Sequence, residues 1–251
     1  EEIGDDEIAG LSRSFNEMTA EIARLDAAKK QVIADSAHEL RTPVTLIQGM
    51  IEGMIDGVYP RDSSTLKSVH EETMRLARLI DTLRELEVIE SGELRLEKDT
   101  IDLHGMTSKA LRLFAPLAVP KSISITLEAC DKTPYEVSGD QFRLDEVFYN
   151  ILSNAVKYTP IGGTIRIREL SEDERFLGFS VGDSGPGISV SERPRVFERF
   201  YRIDKSRSTE SGGRGLGLAI ASEIVRAHGG SIEIGASDLG GALFTVLLPR
   251  P

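Results

Sequence analysis

Apolar residues recur at steps of three and four along the first part of the chain. From residue 11 to residue 32 the steps alternate between four and three, with one step of seven, through Leu11, Phe15, Met18, Ile22, Leu25 and Val32. This spacing is typical of the seam of a coiled coil. A single amphipathic helix packed on a globular core would show the same spacing, so that alternative stays open here.

The same pattern resumes after residue 38 and is then interrupted by turn residues. Gly57, Tyr59-Pro60 and Asp62 are residue types that favour turns. Ser63 or Ser64 can cap a second helix beyond that turn. The pattern therefore predicts two antiparallel helices with one apolar stripe each. The stripes comprise Leu40, Val44, Ile47, Ile51, Met54 and Val58 in the first helix and Leu66, Val69, Thr73, Leu76, Ile80 and Leu83 in the second.

A single hairpin of this kind would leave both apolar stripes half covered. Two hairpins packed as a four-helix bundle would bury them. We therefore predict a homodimer in which a coiled coil over residues 1–30 leads into a helical hairpin over residues 31–92.

The chain changes character after Ser91-Gly92, where short apolar runs alternate with helical stretches. Strands and helices in this order indicate an α+β sandwich over residues 99–251, with helices on one face of a sheet. The predicted strands are 123–127, 164–168, 176–181, 231–234 and 243–248, and the predicted helices lie near 104–118, 141–158 and 215–228.

Composition narrows the possible functions. The net charge of −11 argues against a nucleic-acid binder, which needs a basic surface to neutralise phosphates. The single cysteine, Cys130, excludes an internal disulfide and a cysteine-rich zinc site. No stretch approaches the roughly 20 apolar residues of a membrane helix. Because the chain begins at Glu1 without Met, we expect it to be a piece of a longer protein.

One predicted helix carries an unusual polar face. Asn150, Asn154, Lys157 and Tyr158 have offsets of 0, 4, 7 and 8, which place them on one side of a helix. An amide oxygen suits Mg²⁺ and an ammonium group suits phosphate. A plain solvated helix face is the alternative for this stretch alone.

A long connection rich in Gly, Ser and Arg follows the strand that ends near Val181. It begins with Asp183-Ser184-Gly185-Pro186-Gly187, in which a carboxylate can accept a hydrogen bond from an exocyclic amine and glycines allow close approach of the backbone. It continues through Phe197–Arg202, in which Arg199 or Arg202 could reach a terminal phosphate. Connections of this length are typically functional, such as a lid. A simple turn and a structural aromatic cluster are the respective alternatives.

The sequence Gly212-Gly213-Arg214-Gly215-Leu216-Gly217-Leu218 opens the last predicted helix. Glycines before a helix expose amide N–H groups at its positive end, where phosphate binds readily. The spacing fits neither a P-loop nor a dinucleotide-binding turn.

These four motifs, in this order, resemble the N, G1, F and G2 boxes of histidine kinases. The resemblance covers nearly all of residues 99–251 and implies the ATP-binding fold shared with gyrase, Hsp90 and MutL. Gly240–Phe244 is similar to the last glycine box of the family but lacks its usual Thr. By this resemblance Asn150 would bind Mg²⁺ and Asp183 the adenine amine. The other ATP-binding residues implied are Asn154, Lys157, Tyr158, Gly185, Gly187, Arg199, Arg202, Gly213, Gly215, Leu216 and Gly217.

His38 lies within Ser36–Pro43, a segment that is similar to the H box of the same family. A free imidazole has a pKa of about 6.5, so it is a competent nucleophile near pH 7. Glu39 could hold its Nδ1 proton and direct Nε2 at phosphorus. Thr42 shares the face of His38, and the family resemblance implies a role in dephosphorylating a partner regulator. Pro43 predicts a bend. A surface histidine on a coiled coil is the alternative.

Residues 6–18 resemble the end of a HAMP signal-relay module. That resemblance implies a membrane-spanning sensor upstream, so we expect the cytoplasmic portion of a protein of the plasma membrane, in contact with the membrane only through missing segments.

The leading hypothesis is a sensor histidine kinase that uses ATP and Mg²⁺ to phosphorylate its own His38 and passes the phosphoryl group to an Asp of a response-regulator receiver domain. An ATP-driven clamp of the gyrase or Hsp90 type and a non-catalytic dimeric scaffold are the alternatives.

Overall fold

The structure is a computed structural model that describes residues 4–90, 95–131, 134–171, 174–203 and 215–251. These residues divide into two compact units, one that ends at Leu83 and one that begins at Arg84. The finer division into residues 1–30, 31–92 and 99–251 stays a prediction.

Two helices form the first unit, and the second of them continues past its end at Leu83. Helix α1 spans Gly4–Ile55 and helix α2 spans Ser63–Glu90. The predicted coiled-coil segment and the first hairpin helix are therefore one continuous helix of 52 residues. It runs through Pro43, so the proline does not end it. None of the helices in the described part of the chain has the length and apolar run that crossing a bilayer requires.

The turn between these helices is fixed by side chains at both ends. Asp62 Oδ1 accepts hydrogen bonds from the Thr65 N–H and the Ser64 hydroxyl, both at 2.9 Å. Asp62 therefore caps α2, and the prediction of Ser63 or Ser64 as the cap is wrong. The Arg61 guanidinium donates to the carbonyl oxygens of Met54 and Ile55 at 2.7 and 3.0 Å, where a helix end leaves acceptors unpaired.

Part of each apolar stripe is exposed within one chain. Phe15, Met18 and Ile22 are more than half exposed in α1, and Leu66 and Ile80 are more than half exposed in α2. Such a stripe is stable only against a partner surface.

The strands of the second unit are β1 Asp99–Asp102, β2 Ser124–Glu128, β3 Glu136–Gly139, β4 Thr164–Ser171, β5 Phe176–Asp183, β6 Ser231–Ala236 and β7 Ala242–Pro249. Five of them form a sheet in the order β2-β4-β5-β7-β6. Strands β2 and β4 are parallel, and the other neighbours in this sheet are antiparallel. A separate antiparallel pair, β1 with β3, was not predicted from the sequence.

Three helices pack on the sheet. They are α3 (Leu103–Ala118), α4 (Gln141–Tyr158) and α5 (Gly217–Ala227). Alternate residues of β4 and β7 are buried, as expected for strands with one face on a core. The ring of Phe148 in α4 stacks on that of Phe179 in β5, with centroids 3.7 Å apart. The core therefore lies between the helices and one face of the sheet, which confirms the predicted α+β sandwich.

Candidate functional site

The polar face of α4 lies on its last three turns. Asn150, Asn154 and Lys157 are partly buried and Tyr158 is half exposed, while Ile151 on the other side of the helix is fully buried. The Lys157 ammonium lies 4.9 Å from the centre of the Tyr158 ring. The hydrophobic side of α4 thus fixes the helix on the sheet and leaves a polar side for a ligand.

The C-terminal end of α4 is held by a lysine that the sequence analysis did not identify. Lys121 Nζ donates to the carbonyl oxygens of Val156, Lys157 and Thr159 at 2.9, 2.8 and 3.4 Å. These acceptors have no partner within the helix, and a cation is favourable at this negative end. Lys121 therefore fixes the turn that presents Lys157 and Tyr158.

Asp183 ends strand β5 and is only 5% exposed. Its Oδ1 accepts hydrogen bonds from the N–H groups of Gly185 at 2.8 Å and Ala242 at 3.2 Å. Burial raises the pKa of the carboxyl group, and these two hydrogen bonds oppose the increase. Both hydrogen bonds that it accepts from described residues end on Oδ1, so Oδ2 is left for a donor on a ligand.

Two glycines after Asp183 keep its loop close to α4. A Cβ on Gly185 would lie 3.1 Å from the carbonyl oxygen of Tyr158, and Gly187 has a φ of +71°. A side chain at 185 would crowd the end of α4, and one at 187 would be strained. The structure thus brings together the second motif and the C-terminal end of the first.

The start of α5 meets the polar face of α4 at Asn150. A Cβ on Gly217 would lie 2.7 Å from Asn150 Oδ1, so a side chain at position 217 would displace this amide. Gly215 has a φ of +71°, and Leu216 is buried. The structure therefore places an amide oxygen, a hard ligand of the kind Mg²⁺ prefers, at a helix N-terminus that suits phosphate. Gly212, Gly213 and Arg214 lie outside the described residues.

The connection that we predicted to be a lid is described at its two ends. Its first part contains a short 3-10 helix, Arg193–Phe197, and Phe200 donates its N–H to the carbonyl oxygen of Gly215 at 3.0 Å. The two ends of the connection therefore meet beside α5. Residues 204–214 fall outside the part of the chain that the structure describes.

The two candidate arginines of this connection are both partly buried. Burial lowers the pKa of Arg199, and the charge of Glu223 in α5 opposes that decrease. Arg199 therefore lies close to α5. The phosphate-binding roles of Arg199 and Arg202 stay predictions.

His38 lies in α1, and its side chain is exposed. Thr42 is also exposed and donates its hydroxyl to the carbonyl oxygen of His38 at 3.3 Å. Among the residues described, no hydrogen bond joins Glu39 to His38, so the orienting role of Glu39 stays a prediction. His38 has the accessibility that a phosphate acceptor needs.

Two protein families match the chain. Residues 139–251 match the family described as histidine kinase-, DNA gyrase B- and HSP90-like ATPase. Residues 28–92 match the His Kinase A phospho-acceptor domain. The two matches cover the segments that carry the nucleotide-site motifs and His38, respectively.

Comparison of the chain with individual proteins also identifies histidine kinases as its relatives. The signal transduction histidine-protein kinase BaeS of Escherichia coli is 34% identical over 98% of this chain and 52% of its own length, so the chain spans about half of that relative. The mycobacterial sensor histidine kinase MprB is 31% identical, with a TM-score of 0.53 over 61% of this chain and 99% of that chain.

Two further solved structures contain a ligand or a partner. ShkA in complex with AMPPNP is 27% identical, with a TM-score of 0.63 over 88% of this chain and 45% of that chain. The histidine kinase ThkA in complex with the response regulator TrrA is 24% identical, with a TM-score of 0.68 over 100% of this chain and 68% of that chain. The second likeness supports the fold alone.

Proposed function

This chain belongs to the sensor histidine kinases of two-component systems, and on that premise we propose that it binds ATP with Mg²⁺ and phosphorylates its own His38. The observation that carries the proposal is the convergence of three motifs in the second unit. The loop after Asp183 packs against the end of α4 at Tyr158, and α5 begins against Asn150.

Each converging group suits one part of the nucleotide. The buried carboxylate of Asp183 has a free oxygen for the amine of adenine. Lys157 supplies a positive charge for the phosphates. Asn150 supplies an amide oxygen to Mg²⁺, which neutralises the charge on the phosphates when bound. Asn154, Tyr158, Gly185, Gly187, Gly215, Leu216 and Gly217 complete the proposed ATP site, together with Gly213, Arg199 and Arg202.

The proposed reaction is an in-line transfer to an imidazole. A bond forms between His38 Nε2 and the γ-phosphorus, and the bond from the γ-phosphorus to the bridging oxygen of ADP breaks. The neutral imidazole uses the Nε2 lone pair, and Glu39 would hold the proton on Nδ1. Positioning and charge stabilisation supply most of the rate of such transfers.

The remaining proposals concern partners. We propose a homodimer through the exposed stripes of α1 and α2, and transfer of the phosphoryl group from His38 to an Asp of a response-regulator receiver domain. Thr42 would support dephosphorylation of that regulator. Residues 1–30 would relay a signal from a membrane-spanning sensor upstream, which would make this chain a cytoplasmic portion. The match of residues 28–92 to a phospho-acceptor domain favours this function over a nucleotide-driven clamp.

Labelling with γ-³²P ATP and Mg²⁺ tests the proposal. We expect label on the chain that is stable to alkali and labile to acid, as a phosphoramidate is. The variant His38→Ala should lose it, while His70→Ala, which changes another exposed histidine in α2, should keep it. Label that persists in His38→Ala would show that the acceptor is a different residue.

A further inference from the structure

The start of β7 is hydrogen-bonded directly to Asp183, although Ala242 lies 59 positions after Asp183 in the chain. The N–H of Gly241 donates to the Asp183 carbonyl oxygen at 3.0 Å. The next N–H, that of Ala242, donates to Asp183 Oδ1 at 3.2 Å. Two consecutive backbone donors therefore hold one residue by its main chain and its carboxylate.

This contact leaves no room for a side chain at position 241. A Cβ on Gly241 would overlap Asp183 Oδ1, and it would lie 2.5 Å from both the Asp183 carbonyl oxygen and the Gly185 nitrogen. Two of these three atoms belong to the backbone, so they cannot move aside as a flexible side chain would. Gly241 has no positive φ. Glycine is therefore required at position 241 because the Asp183–Gly185 segment approaches it closely, and not because of the backbone conformation at this position.

The neighbouring glycines behave differently. Gly240 has a φ of +97°, which favours glycine through its conformation, and a Cβ there would meet nothing within 4 Å. Gly235 in β6 also has open space around a built Cβ and no positive φ. Gly235 is therefore a matched position at which an added methyl group should be harmless.

These backbone contacts determine the orientation of the Asp183 carboxylate. Gly185 and Ala242 engage Oδ1 from two directions, so the plane of the carboxylate is set and Oδ2 is turned away from both donors. Oδ2 accepts no hydrogen bond from the described residues and is not one of their fully buried side-chain atoms, so a ligand can reach it. A ligand that places an N–H at Oδ2 would satisfy it, and a ligand that places a carbonyl oxygen there would be repelled.

We propose that Gly241 and Ala242 are positioning residues that set the base selectivity of the nucleotide site, by fixing the Asp183 carboxylate so that Oδ2 accepts an exocyclic amine. The proposal rests on the proposed function, in which Asp183 binds the base. In this proposal the Gly240-Gly241-Ala242 segment acts by orienting the Asp183 carboxylate. Any nucleotide with an oxygen in place of the amine is disfavoured by the same geometry.

A comparison of ATP with ITP tests this role, because ITP carries a carbonyl oxygen where ATP carries the amine. Isothermal titration of the 251-residue chain in Mg²⁺ should show a preference for ATP over ITP of roughly tenfold to a hundredfold, as expected for a hydrogen bond to a charged group. In Gly241→Ala the affinity for ATP should fall towards that for ITP, while the affinity for ITP changes about twofold or less. Gly235→Ala should leave both affinities unchanged.

The outcomes separate the two proposals. If the wild-type chain binds both nucleotides equally, Asp183 does not read the amine, and its proposed role fails together with this inference. If the wild type prefers ATP and Gly241→Ala keeps the same ratio of affinities, the positioning role alone is wrong. A general loss of folding would lower both affinities together and would not change their ratio.

A second variant covers the case in which Gly241→Ala does not fold. Replacing Ala242 by lactate through nonsense suppression removes the N–H that donates to Asp183 Oδ1 and adds no atoms to the crowded contact. We expect the ratio of ATP to ITP affinity to fall about threefold or more, since one of the two donors that orient the carboxylate is lost. An unchanged ratio in the ester variant would overturn the proposal.

Discussion

At the residue scale, a buried histidine joins the two helices that line the candidate site. His228 is 1% exposed. Its Nδ1 lies 2.8 Å from the Ile224 carbonyl oxygen, and its Nε2 accepts the N–H of Asp140 at 2.9 Å. A carbonyl can only accept and an amide N–H can only donate, so the imidazole is neutral with its proton on Nδ1. The ring thus connects the end of α5 to the start of α4.

Protonation of His228 should weaken this connection. Burial, together with the charge of Lys98, lowers the pKa of the imidazole, while the Ile224 carbonyl and Asp140 oppose the decrease. The folded pKa is thus below the unfolded value of about 6.5. The contribution of His228 to stability is complete above that value and is lost as the pH falls towards the folded pKa.

We therefore expect His228→Phe to cost about 1–3 kcal/mol near pH 7.5, because the Asp140 N–H loses its acceptor. The cost should shrink at pH 5.5, because the imidazole of the unfolded wild type then binds a proton that burial disfavours in the folded state. Thermal unfolding of both proteins at the two pH values measures the difference. His70→Phe, at an exposed position in α2, is the control. A cost that does not depend on pH would contradict the neutral tautomer.

The residues that the sequence analysis found and missed differ in how they act. Asn150, Lys157 and Asp183 offer their own side chains to a ligand, and their spacing within short motifs is visible in the sequence. His228 and Gly241 act on backbone groups that are distant in the chain, and the resemblance of Gly240–Phe244 to a glycine box does not indicate that Gly241 packs against Asp183. Local patterns contain no information about such contacts, so only the fold reveals them.

At the element scale, the last turn of α4 depends on a side chain from outside the helix. Lys121 follows α3 and lies 36 residues before Lys157, yet its ammonium group binds three carbonyl oxygens at the end of α4. A charged donor that satisfies several partly buried acceptors contributes more than an exposed ion pair does. This turn presents Lys157 and Tyr158, so its order matters for nucleotide binding.

Lys121→Met should therefore destabilise the second unit by about 1–3 kcal/mol and weaken ATP binding severalfold. Lys109→Met is a matched control, because Lys109 also contacts α4, but through an exposed ion pair with Asp145 at 2.6 Å. That pair is worth at most about 1 kcal/mol. Thermal unfolding and ATP titration of both variants provide the measurements. Equal effects of the two substitutions would show that the carbonyl contacts of Lys121 contribute nothing specific.

The elements themselves were predictable where a periodic pattern was long enough. Helix α4 and the five strands of the main sheet have repeated apolar positions that reveal their period. Strands β1 and β3 have four residues each, too few for an alternation to stand out. The cap of α2 was misplaced by one or two residues, because Asp62 and Ser63 are both residue types that cap helices.

At the scale of the whole molecule, the two units bury their apolar residues to different degrees. In the second unit the helices and the sheet cover each other, and residues such as Ile151 and Val181 are fully buried. In the helical unit Ile51 and Ile80 are 41% and 51% exposed. Folding of one chain alone therefore buries the apolar core of the second unit and leaves part of each stripe of α1 and α2 in contact with water.

A second copy of the chain is the simplest partner for these stripes, since two hairpins can bury four apolar faces in one bundle. Light scattering during gel filtration at micromolar concentration should give twice the chain mass of 27.5 kDa.

Ile51→Lys and Ile80→Lys should shift the chain towards the monomer, because each places a charge in the buried seam. Thr45→Lys adds the same charge at an exposed position of α1 outside the stripe and should leave the dimer intact. A wild-type chain that elutes with the mass of one copy would disprove the homodimer, and equal behaviour of all three variants would place the interface elsewhere.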